Sequence, residues 1–262
     1  MKHVVLVLLL VAPPAHSYVP VTTDSGIPVA WTSDVVEFEV DQFLPPGWDA
    51  GLVGQLIDAA SAPWESLECH PLSIERIGWT DQAVADLFDR KNNILWIQDE
   101  WPYSQTMMAI TLIEYNNFTG ELRDAEILIN NDQKSFDRAG ACDPQSLNYD
   151  LVNILTHEFG HVVGLDHSAE LQATMHLETF EGDCLKRSLH QDDIDGFCAS
   201  YAPDVTAPES EDASGDLASA EQADGGSGDG CTCAASPKTS PGAAPWLVAL
   251  ALVLGLRIRK RA

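Results

Sequence analysis

Apolar positions along this chain follow two periods in turn. From Val29 to Val40 apolar and polar residues alternate, with Val36, Phe38 and Val40 on one face, which predicts a first β-strand. Trp48 to Ser66 changes to a helical period. Leu52, Leu56, Ala60 and Trp64 recur at four-residue spacing and predict one apolar stripe, with Pro63 placed to end or kink the helix early. Leu72–Trp79 and Ile94–Ile97 predict short strands. Met108–Tyr115 and Glu121–Ile129 are stronger strand signals. Asn116-Asn117-Phe118-Thr119-Gly120 between them is turn chemistry, so a hairpin is expected. Asn148–Val163 has the clearest helical stripe (Leu151, Ile154, Leu155, Phe159, Val162), and Gly164 is its natural stop. A last helix is expected over Gln191–Tyr201, with Ile194, Phe197, Cys198 and Tyr201 facing inward. This order, with no internal repeat, reads as α+β with a mixed, twisted sheet.

The ends of the 262-residue chain obey neither period. Residues 1–17 place Lys2 and His3 before the apolar run Val4–Ala12, then Ala15-His16-Ser17. That is the layout of a secretory signal peptide cleaved before Tyr18. Residues 206–230 carry Glu209, Glu211, Asp212, Asp216, Glu221, Asp224 and Asp229 among Gly, Ser and Ala, with no Lys or Arg. Such a segment has too little apolar surface to fold and reads as an acidic, disordered linker. Residues 231–262 open with Cys231-Thr232-Cys233, continue into an apolar run through Trp246–Leu256, and close with Arg257, Arg259, Lys260 and Arg261. This tail resembles the MYXO-CTERM surface-sorting signal of myxobacteria. The resemblance implies an exported bacterial protein, held at least transiently in the membrane by its tail and then displayed on the surface or released.

Residues 18–205 remain as one domain, long enough for a substantial core. They hold 33 acidic and 8 basic residues, so nucleic acid and anionic lipid are poor partners for this part. Cys69, Cys142, Cys184 and Cys198 suggest two disulfides in an exported chain. Of three possible pairings, Cys184–Cys198 with Cys69–Cys142 is the one favoured.

The chemistry sits on the best helix. His157 and His161 are one turn apart, so both imidazoles leave the same face and can share a metal. Gly164 tolerates positive φ and lets the chain turn back, which can bring His167 in as a third ligand. Glu158 follows the first ligand and is not itself one. It is placed to act as general base toward a zinc-activated water. Three protein ligands leave one position open, as catalytic zinc requires.

His157-Glu158-Phe159-Gly160-His161-Val162-Val163-Gly164-Leu165-Asp166-His167 resembles the metzincin signature, and Met175 in Ala173-Thr174-Met175 matches the methionine turn that lies under the zinc in that group. Ser168 after the third histidine, Thr119–Ile127 and Leu189–Gly196 are similar to matrixin segments. The resemblance covers most of Val29–Tyr201 and implies a zincin-like fold and a zinc metalloendopeptidase acting on proteins or peptides. The pattern departs from animal matrixins in three places. No propeptide cysteine switch is visible before the first strand. No His occurs from Pro71 to Thr156 to hold a second, structural zinc. His176-Leu177-Glu178 replaces the usual Pro-x-Tyr after the methionine turn.

His70, His176 and His190 read as surface or supporting residues, because three ligands already complete the site. Asp124, Glu126, Asn130 and Asp132 read as a solvated acidic strand end, with a Ca2+ site as the alternative. By resemblance, Met107–Tyr115 is expected to be an exposed sheet edge bordering the zinc cleft. Two rival functions stay open: a non-catalytic, zinc-stabilised adhesion module, and a zinc hydrolase acting on a non-peptide amide.

Overall fold

The computed structural model describes residues 16–138 and 140–202. The acidic linker and sorting tail expected from the sequence lie outside the described residues, as does the signal peptide apart from its last two positions. Among the described residues, no helix is long and apolar enough to cross a membrane.

The elements in chain order are β1 (Val19–Pro20), β2 (Val35–Asp41), α1 (Ala50–Glu65), β3 (Ser73–Thr80), β4 (Asn92–Ile97), β5 (Ala109–Tyr115), β6 (Leu122–Asn130), β7 (Phe136–Asp137), β8 (Tyr149–Asp150), α2 (Leu151–Val162), β9 (Leu165–Asp166) and α3 (Gln191–Ser200). The main sheet has the order β3-β2-β4-β6-β5. All its pairs are parallel except β5 with β6. This is the mixed α+β sheet the periodicity predicts. The hairpin is present, with Ala109 opposite Ile129 and Tyr115 opposite Leu122.

One face of the sheet packs on α1 and α2. Phe38, Ile94, Ala125, Ile127 and Ile129 from the strands join Val53, Ile57, Ala60 and Trp64 of α1 and Leu155, Phe159 and Val162 of α2 in one buried cluster. The Trp64 indole N–H donates to the Thr156 carbonyl at 2.9 Å, so its one polar atom is satisfied inside the core.

Three sequence expectations need correction. The strand expected to start at Val29 is β2 and begins at Val35. Val29 and Ala30 instead donate backbone N–H groups to Val21 and Gly120, and Ser33 then bends the chain through its hydroxyl bonds at Val35. In α1 the buried stripe is Val53, Leu56, Ile57, Ala60 and Trp64, while Leu52 sits exposed at the margin. Pro63 lies inside α1 without ending it: the helix runs on to Glu65, and the Ser66 N–H then bonds the Ala62 carbonyl.

The disulfides are Cys69–Cys198 and Cys142–Cys184, not the pairing favoured from sequence. The reason lies in the packing. The segment after α1 meets the end of α3, where His70 stacks 4.6 Å from Tyr201. Cys142 and Cys184 meet near the start of α2, where Arg187 binds both the Gly140 carbonyl and Asp150. Closeness in sequence decides neither contact.

Candidate metal centre

α2 begins at Asp150, whose carboxylate caps the helix by accepting from the Asn153 N–H at 2.8 Å. It ends at Val162, and two residues on Gly164 has φ +91° and lies so close to the Val29 carbonyl that a Cβ there would stand 2.1 Å from that oxygen. No L side chain suits both demands. The chain reverses there into β9, which pairs antiparallel with β1 and sets His167 opposite the helix.

The three imidazoles meet as the spacing predicts. Ring centroids are 4.9 Å apart for His157 and His161, 4.8 Å for His161 and His167, and 5.2 Å for His157 and His167. Their nitrogens can together face one ion. His157 Nδ1 lies 2.6 Å from the Thr174 carbonyl and His161 Nδ1 lies 2.7 Å from the Leu165 carbonyl. A carbonyl only accepts, so each Nδ1 carries a proton and Nε2 is left as the nitrogen for a metal. Burial holds His157 well below the usual histidine value and brings His167 to about 4. Both are therefore neutral at physiological pH, the state a metal needs.

Beneath the histidines, Met175 is 1 % exposed. It can lie there because Gly160 carries no side chain: a Cβ would stand 2.1 Å from the Met175 sulfur. Asp193, near the start of α3, accepts from the Thr174 and Met175 N–H groups at 2.7 and 2.9 Å. This one buried carboxylate fixes the turn whose carbonyl orients His157. Asp192 next to it accepts from the Ser168 hydroxyl at 2.6 Å.

Glu158 is 5 % exposed, and burial raises its carboxyl above the ordinary value. Its Oε2 accepts from the Thr111 hydroxyl at 2.7 Å. Thr111 lies in β5, which ends the sheet order and is paired only with β6, so the strand expected to be an edge is one and it borders the histidine site. Lys186 is also buried nearby. Its ammonium donates to the His176 carbonyl, and burial lowers it to about 8. Thr111, Asp193 and Lys186 were not found from sequence. Only Asp193 left a signal, through the matrixin-like Leu189–Gly196 segment.

Among the described residues, His70, His176 and His190 do not join the three-histidine cluster. His70 packs on Phe197 and Tyr201, His190 caps α3, and His176 stands beside the Ser168 carbonyl.

The acidic strand end differs from the expectation. Asp124 and Glu126 are fully buried rather than solvated. They converge with Asp89, one carboxylate oxygen of each lying within 4.8 Å of the others. Asp124 Oδ1 and Glu126 Oε2 have no hydrogen-bond partner. Burial pushes Asp124 up to about 6 and Glu126 to about 9. Asn130 and Asp132 do not join them. Asn130 bonds the Met107 carbonyl and the Gln133 N–H, and Asp132 accepts from the Trp101 N–H.

A helix offering two imidazoles and a buried carboxylate, closed by a third imidazole over a methionine turn, is the arrangement of a metzincin-type metal site. The Matrixin family model matches residues 31–202, and the chain belongs to that family. Curated relatives match a shorter stretch. Interstitial collagenase of Bos taurus is 47 % identical over 57 residues, 21 % of this chain and 12 % of that protein. Neutrophil collagenase of Homo sapiens is 45 % identical over 56 residues, again 21 % and 12 %. Metalloendoproteinase 1 of Glycine max is 40 % identical over 58 residues, 22 % and 19 %. The matched stretch thus spans less than a fifth of each relative.

Proposed function

We propose that this chain is an exported endopeptidase that hydrolyses peptide bonds in proteins, with His157, His161 and His167 holding one catalytic zinc and Glu158 as general base. The carrying observation is the meeting of three imidazoles and one buried carboxylate beside an open sheet edge. When bound, zinc supplies the Lewis acidity that acidifies water and polarises the scissile carbonyl. Glu158 takes the proton from the attacking water and returns it to the leaving amine. Met175 gives the site an apolar floor. The free edge of β5 offers backbone groups to an extended substrate. A pocket of about 320 Å³ beside His176 and Lys186, rimmed by Leu171, Phe180 and Leu185, is the place for a substrate side chain.

The rival of a non-catalytic zinc-stabilised adhesion module fits less well. A structural zinc closes its shell with four protein ligands, and three gather here. It would also have no use for a carboxylate buried next to the ligands at a desolvation cost.

Export rests on the signal-like residues 1–17, the acidic linker 206–230 and the sorting-type tail 231–262. Two disulfides suit an oxidising compartment. We also place a Ca2+ ion at Asp89, Asp124 and Glu126, because two fully buried carboxylates keep an oxygen without a partner there, and an oxygen-only donor set suits a hard cation.

The test of the main reading is digestion of unfolded casein by the zinc-loaded chain, alongside elemental analysis. Glu158→Ala should keep one zinc per chain and lose about 10²–10⁴-fold in rate. Two zincs per chain, or a Glu158→Ala rate within about threefold of the parent, would refute it.

A further inference from the structure

Thr111 stands mid-way along β5, on the edge strand and against α2. Its Oγ1 lies 2.7 Å from Glu158 Oε2 and 3.2 Å from the Glu158 backbone carbonyl. Both partners only accept, so the hydroxyl is the donor. It has a single hydrogen, and the shorter contact to the carboxylate takes it. Among the described residues no other group donates a hydrogen bond to this carboxylate.

A glutamate side chain has three rotatable bonds, and a general base works only when its free oxygen points at the proton it must take. Here Oε2 is tied to Thr111 and Oε1 remains unbonded. Packing alone does not fix the carboxyl plane, because rotation about the last torsion meets a broad, shallow well. A directed hydrogen bond does fix it.

We propose that Thr111 is a positioning residue that fixes the Glu158 carboxylate, so that the aim of the base is set by the strand forming the edge of the cleft. The inference rests on reading Glu158 as the general base. It has a mechanical corollary. A peptide that pairs with β5 also stiffens the backbone carrying Thr111, so substrate binding and orientation of the base are joined through one side chain.

Valine is the informative replacement. It keeps the volume, the branching at Cβ and the strand preference of threonine, and removes only the hydroxyl. The experiment uses the zinc-loaded full chain with a fluorogenic peptide substrate. Thr111→Val should lower kcat by about 10- to 100-fold with KM within about twofold of the parent, since a misaimed base weakens the chemical step and not binding. Thr111→Ser restores the donor and should recover kcat to within about threefold. A second readout does not depend on activity. Thr111→Val should lower Tm by about 3–8 °C in the parent, where it strips a buried carboxylate of its donor, and by less than about 2 °C in Glu158→Ala. An unchanged kcat in Thr111→Val would overturn the proposal. So would an equal loss in Thr111→Ser, or the same Tm shift in both backgrounds. If Glu158→Ala itself stays active, the base assignment fails and takes this proposal with it. If Glu158→Ala is inactive while Thr111→Val is unimpaired, only the positioning role fails.

Discussion

The buried carboxylates of Asp124 and Glu126 make the stability of this domain depend on pH in an unusual direction. Glu126 is fully buried and sits at about 9 in the fold, against an ordinary value of 4.5, mainly through desolvation. Asp124 is raised to about 6 for the same reason. A carboxyl raised by folding favours the folded state while it is protonated. Its contribution is fully present below about 4.5 and is lost as pH rises toward 9. The ceiling for Glu126 is about 6 kcal/mol over that range, and local relaxation and water entry should leave roughly 2–4 kcal/mol. Without calcium, the zinc-loaded chain should therefore be less stable at pH 8 than at pH 5. Glu126→Gln removes the buried charge and keeps the Asn93 contact, so it should flatten most of that slope. Calcium should stabilise the parent at pH 8 and leave Glu126→Gln nearly unmoved. Urea unfolding at several pH values, with and without calcium, reads all of this. Equal calcium stabilisation of parent and variant would show that the ion acts on the acidic surface at large and refute the reasoning. A parent chain that grows more stable from pH 5 to pH 8 without calcium would refute the sign.

Two further outcomes follow from the fold. Non-reducing peptide mapping should recover Cys69–Cys198 and Cys142–Cys184 as the linked pairs, and replacing the first pair by serines should cost about 2–5 kcal/mol in urea unfolding. In hydrogen exchange, part of the Ala109–Ile113 amides should exchange quickly in the free enzyme and slow when a zinc-binding peptide inhibitor is added. Complete protection before the inhibitor is added would show that β5 has no free edge.

Local pattern made the elements legible, and its limits explain the errors. The alternation in Met108–Tyr115 and Glu121–Ile129 and the turn between them located β5 and β6 to within a residue at each end. The stripe of α2 placed that helix, and the one-turn spacing of His157 and His161 follows from helix geometry alone. The start of β2 was misjudged because Val29 and Ala30 have strand-like backbone partners at Val21 and Gly120 without belonging to the main sheet. The disulfide pairing depends on where α3 docks, which no spacing encodes. Asp124 and Glu126 read as a solvated strand end because alternation in a strand tells which residues share a face, not which face is covered. The 81–91 connection is tied to this one by the Arg90 N–H bond to Asp124, and Asn93 at the start of β4 donates its amide to Glu126.

The support of the candidate site shows the same division. A zinc-ligand motif is legible because its residues are close in sequence and tied by helix period. The groups that orient them come from elsewhere: Thr111 is 47 residues from Glu158, and Asp193 is 18 residues from the Met175 N–H it holds. Neither position is chemically distinctive in sequence, since threonine is ordinary in a strand and aspartate is ordinary in the first turn of a helix. Their value comes from what folding leaves around them. The carboxylate at Glu158 and the N–H groups at Thr174 and Met175 are buried, and a buried polar group without a partner is costly. The fold must therefore supply a donor to the first and an acceptor to the others. The side chains that do so are the ones that hold the Glu158 carboxylate and the methionine turn. Stability and geometry of the site thus depend on the same few hydrogen bonds.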